Sequence, residues 1–212
     1  NGANQPGRAE EVAKNYIYKC DSTNLYINKE YAYSLFMQFK YDEAIPLYEK
    51  LIAQGFDNFE SNFILGLCYE DQPDNEKALK HYQKAVQFKS DNATCLFHLA
   101  LVEKAFNMDS LSMAHFNQSL EVSLPKGRAL RSYKWLADLH FQHHRYTDAA
   151  RDFELCILYD EEDNPLNYYN AAQMFIASKN KLKAKPYLQM FLANANRLED
   201  KKEAAQLISK AK

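Results

Sequence analysis

The sequence predicts an all-α fold, a right-handed α-α superhelix of about five helical hairpins with flanking helices. Three observations carry this. Blocks of 34 residues at 25–58, 59–92 and 93–126 align without a gap, and two more, at 130–163 and 165–198, follow after short spacers. A period of 34 is that of a helical-hairpin solenoid. The segment YDEAIPLYEKL (41–51) recurs as EKALKHYQKAV (76–86) and TDAARDFELCI (147–157), and more loosely as SLSMAHFNQSL (110–120) and LKAKPYLQMFL (182–192). Counted from the start of each block, position 8 is Ala32, Gly66, Ala100, Ala137 and Ala172; position 20 is Ala44, Ala78, Ser112, Ala149 and Ala184. Position 24, one turn later, is Tyr48, Tyr82, Phe116, Phe153 and Leu188. Two small residues at fixed points, the second followed by a large ring, suit two helices in close packing.

The elements follow in order. Residues 1–7, NGANQPG, read as a disordered lead-in. Residues 8–20 read as an amphipathic helix with Val12, Ala13, Tyr16, Ile17 and Cys20 on one stripe, the second helix of a half-repeat. In each block a first helix covers about positions 2–15 and a second about 17–31. Gly55 and the Asp91–Asn92 pair are the signals that stop second helices. Pro125 and the spacer Gly127–Ala129 predict a wider turn between the third and fourth blocks. In the closing segment, 199–212, Ala204, Leu207 and Ile208 stand among charges, the pattern of a capping helix.

Composition narrows the function. Hydrophobic residues make up 47% of the 212, with 15 Tyr and 13 Phe, enough for a continuous core built between neighbouring repeats. The net charge of −2 gives no reason to expect a nucleic-acid partner. No apolar run is long enough to span a bilayer. The first residue is Asn1, so the chain reads as a processed form or an excised part. Richness in Asn, Lys, Tyr and Phe leans toward a bacterial periplasmic or cell-envelope protein, with a cytoplasmic location as the alternative. Cys20, Cys68, Cys95 and Cys156 have no CxxC spacing and are expected as reduced packing residues.

Residues 25–198 resemble the tetratricopeptide repeat (TPR) family, whose pattern places small or aromatic residues at positions 8, 11, 20, 24 and 27. The second block matches best, with Leu65, Gly66, Tyr69, Ala78, Tyr82 and Ala85. Position 4 is never the family's Trp, and position 32 is never its Pro. The resemblance implies a solenoid whose first helices line a concave face, chiefly through positions 2, 5, 9 and 12, where peptides dock. On that face the expected binding residues are Tyr26, Lys29, Tyr33, Phe36, Phe63, Phe97, Lys104, Arg131, Lys134, Phe141 and Tyr169. A contiguous apolar patch in water marks a partner site. Arg128, Arg131 and Lys134 share one helix side and suit an acidic group. The partner expected is a protein or peptide, apolar or aromatic, with an acidic flank. The carboxylate clamp of chaperone-binding TPR domains is not matched: of its positions only Lys29 fits from the first block, and only Arg131 from the second.

Catalysis finds no support, for there is no phosphate loop, nucleophile elbow or HExxH. His140, His143 and His144 have helical spacing without a further ligand, and His140 falls at core position 11, so no metal is expected there. No cofactor is implied. The acidic run Asp160–Asp163 reads as a solvated turn. The function expected is a non-catalytic scaffold that binds a peptide or partner helix in its groove; the alternative is a sensor or regulatory segment of a longer multidomain protein.

Overall fold

The computed structural model describes residues 24–194 continuously, together with Arg8, Glu11, Val12, Asn15, Lys202 and Ala205–Leu207. The lead-in at 1–7 and Cys20 lie outside the described residues, as does most of the expected helices at 8–20 and 199–212; the residues described in those two stretches are helical. The continuous part contains helices α1 (Leu25–Met37), α2 (Tyr41–Ala53), α3 (Phe59–Asp71), α4 (Asn75–Phe88), α5 (Ala93–Ala105), α6 (Asp109–Val122), α7 (Lys126–Gln142), α8 (Tyr146–Tyr159), α9 (Pro165–Ala177) and α10 (Lys181–Asn194). No strand occurs among the described residues. The chain divides into two compact units after Met108, α1–α5 making up the first and α6–α10 the second.

The helix starts are written in asparagine. Asn24, Asn58, Asn92 and Asn164 cap α1, α3, α5 and α9, each accepting from backbone N–H groups of the first turn that otherwise have no partner. Asp74 does the same for α4. The stops within hairpins share one device. The N–H at position 16 reaches back to the carbonyl at position 11 in all five blocks: Lys40 to Leu35, Asp74 to Tyr69, Met108 to Glu103, Arg145 to His140 and Asn180 to Phe175, at 2.8–3.0 Å. The residue between turns left-handed, with φ of 61°, 56°, 58° and 63° at Phe39, Asn107, His144 and Lys179. This is the helix-terminal motif that glycine usually serves, here filled by larger residues. Gly55, with φ of 100°, makes the corresponding turn after α2.

The expected wide turn before α7 is corrected. Pro125 caps α7, and Gly127–Ala129 form its first turn, extending it to 17 residues. Nothing in Lys126–Gly127–Arg128–Ala129 stops a helix, and Ala129 and Ser132 both gain burial by continuing it.

Packing follows the small-residue columns. All ten residues at positions 8 and 20 are buried. Rings fill the space they leave: Tyr48 and Tyr82 are fully enclosed in the first unit, among Leu35, Leu51, Leu65 and Leu99. In the second unit Ala149, Ala150, Ala172, Phe175 and Leu188 form one core cluster, and Tyr168 packs with Phe191 in another. Cys68, Cys95 and Cys156 are free and buried, and burial pushes each thiol up to about 12.

Candidate functional site

In the first unit, the first-helix face gathers part of the expected set. Tyr26 is 66% exposed at the start of α1. Tyr33 and Phe36, half-buried one turn apart, bring their rings to 6.1 Å, and Phe36 leans on Tyr41 at 6.0 Å. Phe63 stacks on Phe59 at 5.5 Å and borders Tyr82 and His98. Lys29 is held by Glu60 at 3.0 Å, which raises its pKa and fixes its charge against α3. Lys104 is half-buried on α5.

Phe97 does not join this face. It is 1% exposed and lies edge-on to His98. The reason is visible in α5, ATCLFHLALVEKA, which is apolar on every side: Cys95, Leu96, Leu99, Ala100 and Val102 are buried around it. A helix apolar all round is covered on all sides, so position 5 there is interior. The expected stripe of position-5 rings is therefore interrupted.

Between these helices is a pocket of about 350 Å³, lined by Phe36, Tyr41, Leu67, Glu70, Asp71 and His98. Leu67, Glu70 and Asp71, at i, i+3 and i+4, share one face of α3, and Phe36, Tyr41 and His98 complete the lining from neighbouring helices. Glu70 accepts from the Tyr82 hydroxyl at 2.5 Å and meets His98 Nδ1 at 2.9 Å. Asp71 is exposed at the end of α3, and makes no hydrogen bond or ion pair with the described residues. Burial, and then the charge of Asp71, raise the Tyr41 phenol. Nothing in the sequence singles out Asp71, Tyr41 or His98, while Glu70 falls at position 12 of the expected concave face; His98 sits at position 6, and only the fold shows that the two meet across neighbouring repeats.

The second unit presents the remaining candidates separately. Arg131 and Lys134 are exposed on α7, and Lys126 pairs with Glu161 at 2.9 Å. Phe141 is half exposed, 6.0 Å from Tyr146. Tyr169 turns toward α10 and packs on Phe191 at 5.1 Å. The three histidines diverge: His140 binds Asp152, His143 binds Asp109, and His144 binds the Tyr146 hydroxyl. Among the described residues no group of three or more His, Cys, Asp or Glu is placed to hold a metal ion. The acidic run is more structural than a solvated turn, since Asp160 accepts from Glu162, Asn164 and Asn167, and Asp163 from Tyr168. No helix among the described residues is long and apolar enough to cross a membrane.

Successive antiparallel helix pairs with small residues at fixed columns define the class of helical-hairpin repeat proteins. Comparison with known proteins agrees with this. The model of the family described as anaphase-promoting complex, cyclosome, subunit 3 matches residues 37–108. The fold is similar to that of YrrB, described as a TPR protein with an unusual peptide-binding site, with a TM-score of 0.73 over 93% of this chain and 99% of that one at 14% identity. A TPR protein from Parabacteroides merdae gives 0.62 over 97% and 85% at 18% identity, and MamA 0.64 over 94% and 96% at 14%. In sequence the chain is 23% identical over 173 residues, 77% of its length, to DnaJ homolog subfamily C member 3 of Gallus gallus, and spans 34% of that relative. The fold is that of the tetratricopeptide repeat proteins among these structures.

Proposed function

We propose that this chain is a non-catalytic protein-interaction scaffold, built from repeats at 25–58, 59–92, 93–126, 130–163 and 165–198, that holds an extended partner segment on its first-helix face. The observation that carries the reading is the first-unit pocket of about 350 Å³, whose lining combines Phe36, Tyr41 and Leu67 with the carboxylates of Glu70 and Asp71. Rings beside a carboxylate favour a cation that is also apolar along its stem, as lysine and arginine side chains are. The segment is therefore apolar or aromatic with a basic residue at this pocket. The acidic flank expected from Arg131 and Lys134 belongs to the second unit, where both are exposed. Among the solved structures of this fold, YrrB is described as having a peptide-binding site, which supports the class of partner.

Selection of peptides from a random displayed library on the purified chain tests this. Enriched peptides carry Lys or Arg beside an aromatic or aliphatic residue, and they are lost on Asp71→Lys, which keeps the wild-type melting temperature, and on Phe36→Ala, which melts lower but cooperatively because Phe36 packs against the core. Enrichment that survives both substitutions places binding elsewhere and refutes the proposal.

A further inference from the structure

The second helices carry a feature outside that face. In the first unit, the channel between α2 and α4 is closed over α3. Tyr69, at position 11, stacks on His81, at position 23, at 5.7 Å and 12°, and its hydroxyl donates to Glu49 of α2 at 2.6 Å. In the second unit, the channel between α8 and α10 is closed over α9 by a stack at the same two positions, with the phenol on the second helix instead of the first. Phe175 and Tyr187, again positions 11 and 23, stack at 5.6 Å and 16°, and the Tyr187 hydroxyl donates to Glu154 of α8 at 2.6 Å. Both acceptors occupy position 25 of the preceding repeat. Each channel is thus sealed by a ring stack whose phenol bridges to the neighbouring second helix.

The channel between α6 and α8, over α7, lacks every part of this seal. Positions 11 and 23 are His140 and Asp152, joined by a 2.6 Å hydrogen bond instead of a stack. Position 25 of the preceding repeat is Asn117, whose amide donates to its own helix at Met113. No phenol crosses. What remains is an open groove of about 800 Å³, with Met113, Leu120, Tyr133 and Leu155 among its lining. The pair at its floor is 9% and 7% exposed, and His140 Nε2 makes no hydrogen bond with the described residues. The rims carry opposite charges. Arg151 on α8 and Glu121 on α6 are both exposed, and neither pairs with a described residue. Arg145 is already held by Asp148 at 2.8 Å.

We propose that this groove is a second docking site, which takes a helix of a partner protein laying one tyrosine over the His140–Asp152 pair, with acidic residues toward Arg151 and basic ones toward Glu121. The tyrosine supplies what the sequence supplies in the other two channels: a ring over the floor and a hydroxyl for a polar group on the wall. A groove of this volume between two helices accepts one amphipathic helix, and the unpaired rim charges fix its direction.

Two probes test it on the whole chain. The first is 4-methylphenol, the tyrosine side chain alone, followed by amide chemical shifts; the second is a helical peptide of about fifteen residues with one central tyrosine, glutamates along one flank and lysines along the other. Both shift residues 113–121 and 148–155. Replacing the peptide's tyrosine by alanine weakens binding about tenfold or more, and Arg151→Glu weakens the peptide while leaving 4-methylphenol unaffected. His140→Phe with Asp152→Tyr installs the pair found in the fifth repeat and abolishes both; Ala114→Trp, at an exposed lining position, blocks the groove if that double variant fails to fold. Shifts outside the groove, binding that survives both blocks, or 4-methylphenol binding without peptide binding overturns the proposal.

Discussion

Gly66→Ala is the substitution for which packing and local propensity disagree most sharply. A Cβ at residue 66 falls 2.5 Å from two ring carbons of Tyr82 and 2.9 Å from a third. Carbon atoms in contact sit about 3.5–4.0 Å apart, so the ring would retreat by about 1 Å. It has nowhere to go. Tyr82 is fully buried, its hydroxyl is held by Glu70 at 2.5 Å, and its ring faces His98 at 5.8 Å and Phe63 at 6.1 Å. Overpacking of this kind costs about 1–3 kcal/mol, and confinement on several sides puts this site toward the upper end. Alanine recovers about 1 kcal/mol of helix propensity. The net expectation is a loss of about 1–2 kcal/mol, read as a lower urea midpoint by circular dichroism. Adding Tyr82→Leu should recover part of it, a non-additivity expected of touching side chains. Ala32 stands in the same column in the first repeat, in one core cluster with Tyr48, whose hydroxyl has no partner among the described residues. An unchanged or raised midpoint for Gly66→Ala would refute this account of the interface between α3 and α4.

Other outcomes follow from single sites. Phe39 holds a φ of 61° with its side chain 77% exposed, so Phe39→Gly should raise stability by about 0.5–1 kcal/mol by removing left-handed strain, at the small loss of its edge contact with Tyr41. Tyr48→Phe removes a buried hydroxyl with no partner among the described residues, and should be neutral or stabilising in chemical unfolding, whereas Tyr82→Phe loses its bond to Glu70 and should cost about 1 kcal/mol. His81 is pushed below its ordinary value of 6.5, first by burial and then by Lys80 and Lys84. The unfolded chain therefore takes up this proton before the folded one, and stability falls as the pH drops through about 6.5. His81→Phe, which keeps a ring on Tyr69, should flatten that part of the profile.

How much was legible depended on whether a residue's role is set by its own column or by what comes to cover it. The small residues at positions 8 and 20 declare close packing locally, and Ala32, Ala44, Ala78, Ala149 and Ala184 are all enclosed. The left-handed turns were hidden because Phe39 and Lys179 fill a place where glycine would have announced it. Phe97 reads in sequence as a surface ring because its column faces the groove in the family pattern; its burial follows from the apolar neighbours on every side of α5. The first-unit pocket needs Asp71 and His98, which are far apart in sequence and unremarkable singly. The open groove between α6 and α8 is harder still. His140 falls at a core position and is buried, but its meaning depends on the stacked pairs Tyr69–His81 and Phe175–Tyr187, a pairing of columns that appears only once the helices are placed.

The scaffold reading stands or falls on where a selected peptide sits. Titration of isotope-labelled protein with the most enriched displayed peptide, followed by backbone amide shifts, tests it directly. The account predicts the largest shifts at Tyr33, Phe36, Leu67, Asp71 and His98, with their loss in Asp71→Lys. Shifts confined to other surfaces, with these five residues unmoved at saturation, would contradict it.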